Sequence, residues 1–147
     1  MKTKKIIGRV DRVDLPDLGI ESAKAKIDTG AYTSSIHCKK IKVDAEVLSF
    51  YLPVDFEGKS IIKKFQTKDF TQKKIKSSNG ETQKRYVIKT GILLFGKKYL
   101  TEFSLSNRSR MKNPILIGRK LLKNRFLVDV TLKNVSLDQS IQQKENP

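Results

Sequence analysis

The chain has 147 residues, 37% of them hydrophobic and 31% charged, a length and composition that suit one domain with a small core and one site rather than several. Lys and Arg number 31 against 15 Asp and Glu, a formal charge of +16. That balance disfavours cationic partners and favours acidic peptides, ribosomal surfaces or nucleic acid. The basic residues recur along the whole chain, as Lys39-Lys40, Lys63-Lys64, Lys73-Lys74, Lys97-Lys98 and Arg108/Arg110, and not as one basic stripe, which weakens the case for a nucleic-acid groove.

The segment Met1 to Arg9 starts positively charged, but only Ile6 and Ile7 precede Gly8 and Arg9. No apolar run reaches the length of a secretory core or a membrane span. The single cysteine, Cys38, has no internal disulfide partner. Cytoplasmic residence without membrane contact is the expectation.

Short apolar or β-branched runs predict strands at Ile6 to Val13, Ala23 to Asp28, Leu48 to Val54, Ile61 to Thr67 and Asp69 to Ile75. Further strands are predicted at Arg85 to Leu94, Tyr99 to Leu105, Ile115 to Ile117 and Phe126 to Val130. Many short strands separated by Gly, Pro, Asn and Asp read as an all-β barrel or sandwich. Ser77-Ser78-Asn79-Gly80 carries the Asn-Gly hairpin signal, and places a long polar hairpin between two strands. Arg119 to Arg125 is the one helical stretch. The expected domain covers residues 1–131, and the polar residues 132–147 read as a frayed tail.

Asp28 stands at the end of a strand in which Ala25 and Ile27 alternate with Lys24 and Lys26. Thr29, Gly30 and Ala31 follow as a turn of small residues that another backbone can approach closely. Two carboxylates brought together on such turns cannot both ionise comfortably, and share a proton. The ionised one then accepts a proton from an attacking water while the protonated one polarises the scissile carbonyl. By itself, Asp28-Thr29-Gly30 is more often an ordinary turn between strands than a catalytic motif.

Gly118, ninety positions after Asp28, lies in the segment Ile115-Leu116-Ile117-Gly118-Arg119-Lys120-Leu121-Leu122. The Asp-Thr-Gly-Ala turn after a strand, the Ile-Gly-Arg segment leading into a short helix, and a hairpin between them resemble the retropepsins. Longer blocks resemble a bacterial and archaeal family labelled RimK-associated or "ATP-dependent zinc protease". These are Ile7 to Val10 with Leu15 to Gly19, Ala25 to His37, Ser77 to Gly80 with Arg85 to Ile88, Leu105 to Arg108 with Met111, and Ile115 to Arg119 with Phe126 to Asp129. The similarity covers about residues 6 to 130.

The resemblance implies a retropepsin-like closed β-barrel with one short C-terminal helix, Asp28 as the catalytic group, and Thr29, Gly30, Ala31 and Thr33 around it. Ile117, Gly118 and Arg119 would support that turn, and Ser78, Asn79 and Gly80 would form the tip of a flap. It also implies a genomic association with ATP-grasp ligases that add glutamates to proteins, and in some members trimming of such tails. Where the family commonly has Arg after Gly-Ala, this chain has Tyr32, so Arg85 and Arg108 become the candidates for binding a substrate carboxylate through paired hydrogen bonds.

Zinc fits poorly. A catalytic zinc takes three protein ligands and an open position, whereas this chain has one histidine, and adjacent His37 and Cys38 point to opposite sides of a strand. No phosphate-cradling glycine loop suggests ATP, and the expectation is no cofactor and no metal. Cys38 reads as a small buried hydrophobe, and the Tyr and Phe residues read as packing.

Only one Asp-Thr-Gly exists, so a two-aspartate site requires a homodimer. The leading expectation is an aspartic hydrolase of peptide or isopeptide-like amides, with an acidic peptide or glutamate-modified protein as substrate. The alternative is a non-catalytic basic module holding an acidic peptide, a ribosomal surface or RNA in the same cleft.

Overall fold

The computed structural model describes residues 3–56, 58–76, 79–107 and 113–145. In chain order the strands are β1 (Lys5–Ile7), β2 (Val10–Leu15), β3 (Ile20–Ile27), β4 (Ser34–His37), β5 (Lys39–Asp44) and β6 (Val47–Phe56). They continue with β7 (Lys59–Thr67), β8 (Thr71–Lys76), β9 (Thr82–Leu94), β10 (Lys97–Ser106), β11 (Ile115–Ile117) and β12 (Phe126–Val128). Helix α1 (Arg119–Leu122) lies between β11 and β12, and α2 (Val135–Glu145) ends the described chain.

Alternation sets the faces. In β2, Asp11, Val13 and Leu15 turn inward while Arg12 stays in solvent, as the period of two in a half-buried strand requires. Around the barrel, β2 pairs antiparallel with β3, β3 parallel with β11, and β11 antiparallel with β4. Next, β4 runs parallel to β10, β10 antiparallel to β9, and β9 returns to β2 through Asp14 and Leu93. Six strands thus close a ring, leaving no free edge within it. The all-β barrel expected from the sequence is the observed architecture.

Two sheets attach to this ring. Strand β6 is flanked by β5 and β7, and buries Leu48, Phe50, Leu52 and Val54 against the barrel core. Phe50 stacks on Phe65 of β7 at 5.8 Å between ring centroids, a favoured aromatic separation. Separately, β1 pairs in parallel with β12, Ile7 opposite Val128.

The single strand expected over Ile6 to Val13 is broken at Gly8. A Cβ there would lie 2.3 Å from the Leu132 carbonyl oxygen, so glycine is what lets the segment after β12 cross this point. The crossing chain is then held by the Arg9 amide donating to Leu132 O at 2.9 Å and the Asn134 amide to Val10 O at 2.9 Å. Two strands, β4 and β5, were not among those expected: Ser34-Ser35 carries little apolar signal, and β5 alternates only Ile41 and Val43 with lysines.

Residues after 131 also differ from the expected frayed tail, since Val135–Glu145 is helical. Its own side chains are too polar to announce a helix, and its start is held by a residue far away in sequence. Asp11, fully buried, accepts from the Ser136 amide at 2.9 Å with Oδ2, and from the Leu137 amide at 3.2 Å with Oδ1. The same Oδ1 takes the Arg12 amide at 2.8 Å. Ser136 Oγ in turn accepts from the Phe95 amide at 2.8 Å. The first amides of a helix have no partner within it, and a carboxylate supplies both hydrogen bonds and favourable charge there. Asp11→Ala therefore strands three backbone N–H groups, and should cost about 2–4 kcal/mol. Urea denaturation followed by circular dichroism would show it, with a loss below 0.5 kcal/mol counting against this anchoring role.

Candidate active site

Strand β3 buries Ala25 and Ile27 and exposes Lys24 and Lys26, delivering Asp28 half-buried at its end. The Asp28 amide donates to Ile117 O of β11 at 2.8 Å. Its Oδ1 accepts from the Gly30 amide at 3.0 Å, and the Ala31 amide returns to Asp28 O at 3.2 Å. These bonds make a local turn in which the side chain substitutes for backbone. A Cβ on Gly30 would come 3.3 Å from that same Oδ1, so a small residue keeps the carboxylate and the turn in register.

Behind the turn, Gly118 is buried with φ −95° and ψ 177°, extended backbone that any residue adopts. Space is the constraint: a Cβ would sit 2.6 Å from Tyr32 O and 2.9 Å from Ala31 O. That closeness lets the Arg119 amide donate to Ala31 O at 2.8 Å and the Lys120 amide to Tyr32 O at 2.9 Å, while the Gly118 amide donates to buried Ser34 Oγ at 3.0 Å. The guanidinium of Arg119 donates to Thr29 O at 2.9 Å and stacks over the Tyr32 ring at 5.8 Å, within cation–π range. Asp28, Thr29, Gly30 and Ala31 are thus brought together with Ile117, Gly118 and Arg119. Tyr32, which stands where the resemblance commonly has arginine, packs with the Arg119 side chain.

Among the other expected residues, Thr33 is half-buried just before β4. Ser78 and Arg108 lie outside the described residues. Asn79 and Gly80 do occupy the tip of the β8–β9 hairpin, where Gly80 takes φ +86° and Asn79 Oδ1 accepts from the Glu81 amide at 3.1 Å. The last ladder pair is Lys76 with Thr82, so the connection spans residues 77–81 and is longer than a two-residue Asn-Gly turn. Arg85 is half-buried on β9, and burial lowers its pKa. Its guanidinium donates to Gln83 Oε1 at 3.2 Å.

His37 and Cys38 separate as their adjacency predicts. Cys38 is fully buried, and burial pushes its thiol up to about 12, far from the thiolate that nucleophilic chemistry needs. His37 is half-buried, and desolvation followed by the nearby Lys39 charge lowers its pKa, so its imidazole is neutral at pH 7. Among the described residues no group of three His, Cys, Asp or Glu side chains is placed to share a metal ion.

Sequence reasoning missed Ser34 as a support, because a buried hydroxyl that caps a distant amide has no local signature. It also missed a strip of buried side chains outside the main core. Ser35 of β4 lies beside Ser104 of β10 and Leu116 of β11, and Ser104 beside Val87 of β9. All four are buried, Ser35 at 3% exposure, and its Oγ has no hydrogen-bond partner among the described residues. On β10, Glu102 is 13% exposed and pairs with Lys73 of β8 at 2.7 Å and with Lys120 of α1. The hydrogen bonds from Lys120 and then Lys73 hold its carboxyl below the ordinary range. Glu102 thereby ties the hairpin strand to the helix behind Asp28.

A closed six-stranded barrel with Asp28 on a turn clamped by an Ile-Gly-Arg segment defines a retropepsin-like protein. Residues 6–139 match the family described as "RimB-like: Retropepsin-like aspartic endopeptidase RimB", and the chain belongs to that family. Similar proteins include one from Shewanella pealeana, 41% identical over 130 residues, and one from Desulfotalea psychrophila, 35% identical over 135 residues; both carry the name "Probable alpha-L-glutamate ligase". The matches cover 86% and 88% of this chain, which spans only 28% and 29% of the length of those relatives. A crystal structure of a protein of unknown function from Legionella pneumophila superposes with TM-score 0.69 at 26% identity, covering 91% of this chain and 99% of that one.

Gly118→Ala should destabilise the protein by about 2–4 kcal/mol, since backbone and not a flexible side chain must move. A thermal melt that matches wild type would refute this account of the clamp. The Glu102 pairs contribute stability above the unfolded carboxyl pKa of about 4.3, and the contribution is lost as pH falls through the lowered folded value. Because both lysines are partly exposed, the gain over Glu102→Gln should be about 1 kcal/mol at pH 6. It should shrink towards zero near pH 3, and a pH-independent difference in urea titrations would contradict it.

Proposed function

We propose that the protein hydrolyses amide bonds as a homodimer in which each copy contributes one Asp28. The observation that carries this reading is a half-buried carboxylate with one oxygen fixed by the Gly30 N–H, on a turn whose position is set by Gly118 and Arg119. In the dimer the ionised Asp28 takes a proton from water as the water oxygen attacks the scissile carbonyl carbon. The protonated partner carboxyl donates to the carbonyl oxygen. Collapse of the resulting intermediate breaks the C–N bond with proton transfer to nitrogen.

A dimer is supported by apolar surface. Ile6 and Leu127 are direct partners in the β1–β12 pair and are 49% and 54% exposed, and Tyr32, four residues from Asp28, is 55% exposed. Neighbouring exposed apolar side chains of this kind mark protein interfaces. The substrate would lie beside the Asp28 turn, with the β8–β9 hairpin as its lid.

The substrate class we favour is a glutamate-rich tail of the kind a RimK-type ligase adds. Two features support it: the formal charge of +16, and relatives that contain a segment like this chain within longer proteins named as glutamate ligases. Arg85, the desolvated guanidinium on the hairpin, is the described candidate for a substrate carboxylate. A reduced, fully buried Cys38 suits the cytoplasm, and among the described residues no helix is long and apolar enough to cross a membrane.

The test is hydrolysis of a glutamate-extended peptide followed by mass spectrometry. Asp28→Asn, with an unchanged melting temperature, should lower the rate at least about 100-fold. Leu127→Asp should give a monomer in sedimentation and abolish turnover while leaving each chain folded. Undiminished hydrolysis by Asp28→Asn would overturn the reading.

A further inference from the structure

A groove of about 380 Å³ opens at the far end of β3 from Asp28, between the barrel and the β6–β7 ladder. From Lys24, on its wall, to Asp28 is four strand residues, about 13 Å, so this is a separate site. Its floor is apolar, formed by Ile20, Ile36, Leu52 and Ile115. Its mouth carries Arg12 and Lys24, both exposed, which stand directly opposite each other in the β2–β3 ladder. Like charges in that position destabilise a sheet, and an anion between them would reverse the sign of the effect.

The charge continues beyond the groove. Pro53 and Ser60 line it, and Pro53 lies on the same face of β6 as Tyr51, two residues away. Tyr51 is paired with Lys39 and Lys64 in the flanking strands, and the ammonium groups of Lys40 and Lys64 sit 5.3 and 5.9 Å from its ring centroid. Against these cations the groove wall presents one acid, Glu21.

We infer that this groove is a second binding site, which holds an acidic peptide segment. Carboxylates would meet Arg12 and Lys24, and an apolar side chain of the peptide would lie on the floor. The volume suits two or three side chains. A peptide fits better than RNA because no Phe, Tyr or Trp lines the groove, whose single ring is that of His37, and the nearby Tyr51 is already covered by lysines, so the run of stacking rings that single strands use is lacking. Binding here does not depend on the chemistry at Asp28.

Fluorescence anisotropy on the full chain, with a labelled decapeptide of Glu, Asp and Leu, tests the assignment. Arg12→Gln/Lys24→Gln should weaken binding at least about tenfold, and Lys24→Gln alone should give part of that loss. Relief of the like-charge pair should leave the melting temperature of both variants equal to or above wild type. Asp28→Asn should bind within about twofold of wild type, as should Lys123→Gln/Lys133→Gln, which removes the same charge elsewhere. The inference is overturned if the peptide does not bind, if the groove double variant binds like wild type, or if the remote pair weakens binding equally. Displacement of the peptide by a ten-nucleotide oligouridylate at equal or lower concentration would assign the groove to RNA instead.

Discussion

Much of the site depends on the missing side chain of Gly118. Its backbone passes so close under the Ala31-Tyr32 carbonyls that a methyl group would penetrate them, and only at that distance can the amides of Arg119 and Lys120 reach across. The turn bearing Asp28 is otherwise a loop of small residues with little packing of its own. The consecutive strands β3 and β4 and the distant β11 are joined at this point by backbone and hydroxyl hydrogen bonds, and the carboxylate inherits their rigidity. Positioning a reactive group on a rigid frame is what allows a single proton transfer to be effective.

The same economy governs the place where the chain after β12 crosses β1 and β2. Gly8 admits the crossing chain at Leu132, and Asp11 then anchors α2 by its first amides. A buried carboxylate without such partners would be costly; here its acceptor capacity and the unsatisfied donors of a helix start answer each other. The barrel is closed by strand pairing, yet its ends are fastened by contacts of this kind between polar groups that are far apart along the chain.

The charge distribution looks different once the strands are paired. As a sequence, the lysines and arginines are spread evenly. In the sheets, Arg12 faces Lys24, Lys73 faces Arg85 and Lys74 faces Lys84, so even spacing becomes local repulsion. Glu102 relieves one of these clusters by binding Lys73 together with Lys120. The Arg12–Lys24 pair borders an apolar groove, which gives an acidic ligand both a charge and a floor.

By itself the sequence determined the strand-rich class, the hairpin around Asn79-Gly80, and the pairing of an Asp28 turn with an Ile-Gly-Arg segment. The first two are local, since alternation and turn chemistry act over a few residues, whereas the third joins segments ninety residues apart and rested on the resemblance to the retropepsins. Tertiary structure decided what depends on register and contact. It broke the first predicted strand at Gly8, turned residues Val135–Glu145 into a helix held by Asp11, and recruited Ser34 and Glu102 to the site. It also set Arg12 against Lys24. None of these has a nearby sequence signal, because each arises from two segments whose separation along the chain bears no relation to their distance in the fold.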